Sequence, residues 1–193
     1  LPMWVWLHKS SISTANISYS ATFSSQHAYK ARSITDSPKW HLLFDDIFKA
    51  KYGKPLEIIK QNQNEILNNF KGNRFNTSVG GTILGMHADI FVKDDLVSAE
   101  QAQSDVEREK ANRWNDETTS SRRKNPSCYL DIYISQRLHE NDICGHVLNK
   151  KLDIFHICLP AQLTGTNYVS PESAIELYTD GILDANRRPA DVL

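Results

Sequence analysis

Cysteine is scarce in this sequence: Cys128, Cys144 and Cys158 are the only three among 193 residues. An odd count without framework spacing excludes a disulfide-stapled scaffold and points to a reducing compartment, the cytoplasm by default. Long apolar runs are missing as well. The longest lies at residues 1–7, far short of the ~20 that a membrane span needs, and no basic segment precedes it as in a secretory signal. Two catalytic signatures are also absent, the Gly-x-Ser-x-Gly nucleophile elbow and the Gly-x-x-x-x-Gly-Lys-[Ser/Thr] phosphate loop. These residues therefore supply neither an α/β-hydrolase serine nor a complete phosphate cradle. Strong net charge is lacking too, since 22 Lys and Arg oppose 23 Asp and Glu.

What is present is the composition of a folded domain, 40% hydrophobic and 23% charged. That excludes disorder and collagen-like repeats and allows a core without staples. The charge is unevenly placed: residues 1–80 hold 10 basic and 5 acidic groups, residues 81–118 hold 4 and 9, and residues 119–193 hold 8 and 9. A basic stretch of this size serves either a polyanionic partner or ordinary solvated helix surfaces, and charge does not choose between them. The run Pro2-Met3-Trp4-Val5-Trp6-Leu7 reads as the interior of a fold, an apolar edge that needs a strand upstream. Because the chain opens on Leu1, it is expected to be a fragment.

Periodicity organises the rest. Residues 12–19 form a β-prone run, and residues 22–35 read as a helix with Phe23, Ala28, Ala31 and Ile34 tending to one side. Ser37-Pro38 caps and opens a second helix, striped by Trp40, Leu43, Phe44 and Phe48 and stopped at Gly53-Lys54-Pro55. Turn-rich sequence follows, with short strands expected at 74–79 and 82–84 and a buried parallel strand at 90–92. A charged helix is expected over 99–115, anchored by Ala102, Val106 and Trp114, then a basic loop at 121–126. Residues 128–135 form the clearest strand, 142–149 a helix, 154–159 a second buried strand and 170–178 a capped helix. Cys128 and Cys158 sit in those apolar strands and read as small buried hydrophobes. Strands alternating with helices define an α/β domain with a mainly parallel sheet.

Two polar clusters carry possible chemistry. In Asp89-Ile90-Phe91-Val92-Lys93-Asp94-Asp95 an apolar strand delivers adjacent carboxylates at its carboxyl end, where open α/β sheets bind ligands. In nucleotide hydrolases one such carboxylate holds hydrated Mg²⁺ and the other orients the attacking water; the same dipeptide also serves as a turn or helix cap. The second cluster, Ser135-Gln136-Arg137-Leu138-His139-Glu140-Asn141-Asp142, again follows a strand. Gln136 suits a phosphate oxygen or water, and Arg137 suits phosphate charge or a structural pairing with Asp142. His139, Cys144 and His146 are loosely ligand-like, but no second pair completes a known Cys/His metal site. Gly80-Gly81 with Gly85 fits either a phosphate approach or hairpin turns.

In order and spacing these segments resemble the ATPase domain of phage terminase large subunits, the motors that pack DNA into procapsids. Trp6-Leu7, Ile17-Ser18-Tyr19-Ser20 and Arg32 resemble the strand and helix after the family's phosphate loop, and residues 37–44 its next helix. Gly80-Gly81-Thr82-Ile83-Leu84-Gly85 resembles the lead-in to Walker B, Ala88 to Asp95 Walker B itself, and Glu100-Gln101-Ala102 the start of the helix after it. Gln136 to Gly145 resembles the motif that couples nucleotide state to movement, and Leu159-Pro160-Ala161 the next strand end. The resemblance implies a three-layer RecA-like fold of the P-loop NTPase type, incomplete at its amino end. It implies a partial ATPase domain over residues 1–165 and a helix and linker over 166–193, leading to a nuclease domain beyond the chain.

It further implies Mg²⁺ and ATP as cofactors, with Asp94 and Asp95 on the metal, Asp95 positioning water, and Gln136 and Arg137 sensing the γ-phosphate. The implied partners are double-stranded DNA, a portal protein, a small terminase subunit and further copies in a ring, in the cytoplasm of a bacterial host and away from any membrane. The sequence departs from the family in lacking the phosphate loop, expected upstream of Leu1, and in placing Lys93 at a customarily apolar position. His87 stands where a basic residue is frequent, which leaves Arg74 and Arg32 as arginine-finger candidates. The rival expectations are an inactive prophage remnant that binds DNA or protein, and a RecA-like ATPase of another kind such as a helicase.

Overall fold

The structure, a computed structural model, describes residues 2–81, 85–185 and 187. The chain divides into two units, Leu1–Asn149 and Lys150–Leu193. In the first, α1 (Pro2–His8), β1 (Thr14–Ser18), α2 (Ala21–Thr35) and α3 (Pro38–Tyr52) precede a hairpin of β2 (Ile58–Gln61) and β3 (Glu65–Asn68). Then come β4 (Asn73–Ser78), β5 (Ile90–Asp94), a 3-10 turn at Gln101–Gln103, α4 (Asp105–Trp114), β6 (Leu130–Ile134) and α5 (Ile143–Asn149). The strands form one sheet in the order β2-β3-β4-β1-β5-β6. Within it β4, β1, β5 and β6 run parallel, while β3 is antiparallel to β4 and β2 to β3. The fold is α/β with a mainly parallel sheet, as expected.

Local chemistry accounts for the helix ends. Ser37 accepts a bond from the Trp40 amide, Pro38 fills the first turn of α3, and Gly53 at φ 78° takes the left-handed conformation that closes it. The single helix expected over 99–115 is instead interrupted. Ser98 and Gln101 exchange hydrogen bonds of 2.9 and 3.2 Å, and Ser104 recaps the chain so that α4 begins at Asp105. Val106 is exposed; Ala102, Ala111 and the stem of Arg108 are the buried anchors, and Trp114 packs at the edge of the core.

The two faces of the sheet carry different cores. Ala15, Ile17, Phe75 and Phe91 point to one side and pack with Ile143 and Val147 of α5. On the other, Ile66 joins Met3, Trp6, Ala31, Trp40, Phe48 and Leu56 beneath α1, α2 and α3. The expected apolar edge is, over its described residues, the helix Pro2–His8, which buries Met3, Val5 and Trp6. Its end is pinned by Trp6 Nε1 donating to the Ile12 carbonyl and Asn68 Nδ2 donating to that of Ser10, both at 2.9 Å. Gly72 makes room for this knot, since a Cβ there would strike the Ser10 carbonyl and the Trp6 and Asn68 side chains. Ile34, expected on the buried side of α2, is exposed. The expected strand at 82–84 and the Phe23 side chain lie outside the described residues.

The second unit departs furthest from expectation. Residues 154–159 form no strand beyond one bridge from Cys158 to Ser170, and Ile154, Phe155, Ile157 and Leu159 are exposed. An apolar run needs partners on both faces to become a buried strand, and here the run is held by the backbone bonds between Cys158 and Ser170 and by the Ser170 hydroxyl donating to the His156 carbonyl. The capped helix expected at 170–178 is a 3-10 segment, Glu172–Leu177, without a side-chain cap. Cys128 is exposed ahead of β6 rather than buried within it. No helix among the described residues is long and apolar enough to cross a membrane.

Candidate functional site

Parallel strands deliver their carboxyl ends to one edge of the sheet, and Asp95 ties three of them together. Its amide donates to the Ile134 carbonyl at the end of β6, and its carbonyl accepts from the Tyr19 amide beyond β1, both at 2.9 Å. The residue sits at φ 43°, in the left-handed region that asparagine and aspartate tolerate better than most residues. This turn re-aims the chain after β5 so that Asp94 and Asp95 stand side by side. Burial raises the Asp95 carboxyl above the ordinary carboxylate range and the Asp94 charge adds to it, while the Gln136 amide donates to Asp95 and pulls partly back. The Val79 amide donates to the Ser18 carbonyl at 3.0 Å, joining the end of β4 to this edge.

The loop after β6 is organised by a residue behind it. Asp142, 1% exposed, takes Arg137 Nε and the Leu138 amide at 3.1 Å and the His139 amide at 3.4 Å on one oxygen. Its other oxygen takes the Gly145 amide at 2.9 Å, capping α5. Gly145 is required here, because a Cβ would be driven into the Glu140 carbonyl. The structure therefore brings Asp94, Asp95 and the Gln136 backbone together, whereas Arg137 is held to Asp142 and the Glu140 carbonyl, in the structural pairing. The Gln136 and Arg137 side chains are exposed.

Lys93, adjacent to this site in sequence, pairs in register with Ile17, on the side of the sheet that faces α5, and is 1% exposed. Its ammonium donates to Tyr133 Oη at 2.9 Å and to Thr119 Oγ1 at 3.1 Å, and pairs with Asp131 at 3.4 Å. Burial lowers its pKa to about 8 despite Asp131. The π-helical turn Asn115–Thr119 places Thr119 there, and Tyr133 also donates to Asn115 Oδ1. This network lay beyond sequence reading, since no spacing marks that turn as a partner of β5.

Other expected residues stand elsewhere. Arg74 is buried near the start of β4, four residues before its carboxyl end. Arg32 donates to the Asn62 carbonyl at 3.3 Å, and His87 is exposed ahead of β5. His139 Nδ1 accepts from the Asn141 amide, and His146 Nε2 meets Asp116 at 2.8 Å. Burial, with Asp142 next, pushes the Cys144 thiol up, which disfavours a thiolate. Gly80 and Gly85 have φ of 77° and 75°, as turns require.

Asp94 and Asp95 fit Mg²⁺ in the way that ion is usually held, by one or two carboxylates together with water and substrate phosphates. Neither forms an ion pair among the described residues, and no three His, Cys, Asp or Glu side chains there make a preformed cage. Fold and site define an α/β protein with a paired-carboxylate edge on a parallel sheet. No protein-family model matches the sequence, and a search of curated proteins finds no match.

Proposed function

We propose that this chain is part of the RecA-like, ATP-hydrolysing motor domain of a terminase large subunit, which drives double-stranded DNA into a procapsid. The observation that supports this reading best is the Asp94-Asp95 pair at the carboxyl end of interior strand β5, with the Gln136 amide donating to Asp95. Bound Mg²⁺ would neutralise phosphate charge and relieve the repulsion between the two carboxylates. Asp94 is the residue to hold it. Asp95, already disposed to take up a proton by burial and by Asp94, orients the attacking water. Gln136 would sense a γ-phosphate oxygen, and because its amide bonds Asp95, movement of the 136–142 loop would reach the water-orienting group. Arg137, clamped by Asp142, follows the same loop. The chain contains no Gly-Lys-[Ser/Thr] phosphate loop, so residues 1–193 alone should turn over ATP poorly.

The DNA flanking the coding region tests this directly. An in-frame glycine loop ending in Gly-Lys-Ser or Gly-Lys-Thr upstream of Leu1, with an acidic nuclease pattern downstream, would support a working motor. Stop codons close on both sides would sink that reading and leave a remnant. Calorimetry with Mg·ATP on the longer product should show binding weakened at least about tenfold by Asp94→Asn, the loss of one charge-assisted contact. Unchanged affinity would remove Asp94 from the metal.

A further inference from the structure

Beneath α2 the sheet is polar where a covered sheet face is ordinarily apolar. Register pairs Thr14 with Arg74 and Asn16 with Asn76, so these four side chains share one side, and Ile66 lies beside Arg74 in the same row. Thr14, Arg74 and Asn76 are 0%, 3% and 6% exposed. Yet Thr14 Oγ1, Arg74 Nε and Nη1, and both amide atoms of Asn76 lack a hydrogen-bond partner among the described residues. The charge that Arg74 feels is Arg32, a second cation, and no carboxylate pairs with it among the described residues. Burial and Arg32 lower its pKa to about 10, so it still carries its charge at neutral pH. A buried cation without counter-charge and a row of unmade hydrogen bonds are each costly; together they call for an anion.

We propose that Thr14, Arg74 and Asn76 form a buried site for one small monovalent inorganic anion of about chloride size. Three donors suit it: the Thr14 hydroxyl, the Asn76 amide nitrogen, and Nε of Arg74, whose Nη1 faces away from that edge of the guanidinium. All three residues are nearly fully buried and α2 packs over β1 and β4, which favours a small ion over an extended ligand. The site runs from Thr14 and Arg74, near the amino ends of β1 and β4, to Asn76 in the middle of β4; Thr14 pairs with Ile90, four residues before Asp94, and the site does not rest on the motor reading. It deposits a counter-charge inside the fold, so its occupancy is a stability element of the first unit.

The test follows the unfolding midpoint of the full chain while chloride is replaced by gluconate at fixed sodium concentration and ionic strength. Chloride should stabilise saturably, with half-saturation below about 0.1 M. Thr14→Val, which deletes a single donor at nearly constant volume, should weaken that affinity at least about tenfold. Arg74→Met should abolish the chloride dependence. Should Arg74→Met fail to fold, Thr14→Val and crystals grown in bromide still decide. An anomalous bromide peak within hydrogen-bond reach of Arg74 Nε supports the site; water alone there overturns it. Indifference of the wild-type midpoint to the anion exchange, a half-saturation above about 0.5 M as for nonspecific salt, or protection by phosphate only would likewise overturn it.

Discussion

Lys93 is a charge placed inside an interior strand, and its consequence is a pH dependence of fixed sign. An unfolded lysine keeps its proton to about pH 10, whereas in the fold burial releases it from about pH 8. Between those values the unfolded state binds more protons, so stability rises with pH; below pH 8 both states are protonated and the penalty is fully present. Above pH 10 the direction reverses, because burial and Asp131 hold the Tyr133 phenol above its ordinary range and the unfolded tyrosine ionises first. Denaturant unfolding across closely spaced pH values should therefore show a climb of about 2 kcal/mol from pH 8 to pH 10. Lys93→Met should flatten it. A wild-type curve that is already flat there would refute the account. The lysine itself was legible as a departure from an apolar pattern, but its three partners come from β6 and a π-helical turn that no local spacing announces.

At the scale of elements, the carboxyl edge depends on a turn that is built from one carboxylate and one glycine. Asp142 gathers four donors and Gly145 lets α5 start against the Glu140 carbonyl. Asp142→Ala strands those donors, at a cost on the order of 3 kcal/mol. Hydrogen exchange at the Leu138, His139 and Gly145 amides should speed up well before the strands open, and Gly145→Ala should reproduce the effect with Asp142 intact. Unchanged exchange in both variants would mean that the loop is held by something other than this turn. The pairing of Arg137 with Asp142 was visible in the sequence as one of two readings, because opposite charges flank a short loop. α3 and β5 were legible for simpler reasons: Ser37-Pro38 and Gly53 mark their helix locally, and Ile90-Phe91-Val92 has no polar face. Residues 99–115 misled because the reciprocal Ser98 and Gln101 bonds break a helix that periodicity alone would continue. The polar face of β1 was hidden for another reason: Thr-Ala-Asn-Ile-Ser alternates like a half-exposed strand, and only pairing on both sides buries it.

For the molecule as a whole, the two units divide apolar surface unequally. In the first, α1 through α3 and α4 with α5 cover both faces of the sheet, and even Met3, Val5 and Trp6 of α1 find burial there. In the second, Leu152, Ile154, Phe155 and Ile157 are exposed, Phe155 by 80%, and few backbone bonds bind the segment. Local stability follows buried apolar contact and protected hydrogen bonds, so amides at 152–157 should exchange far faster than those of β1 and β5. An apolar-patch dye should bind this segment rather than the amino-terminal helix. The triple change Ile154→Ser, Phe155→Ser and Ile157→Ser should cut dye fluorescence severalfold while moving the unfolding of the first unit, read by Trp6 and Trp40, by less than about 0.5 kcal/mol. Trp4→Ser, on the exposed side of α1, should leave the dye signal nearly intact. If the triple change instead destabilised the first unit, the apolar run would be serving that core, and the division after Asn149 would not be a division in stability.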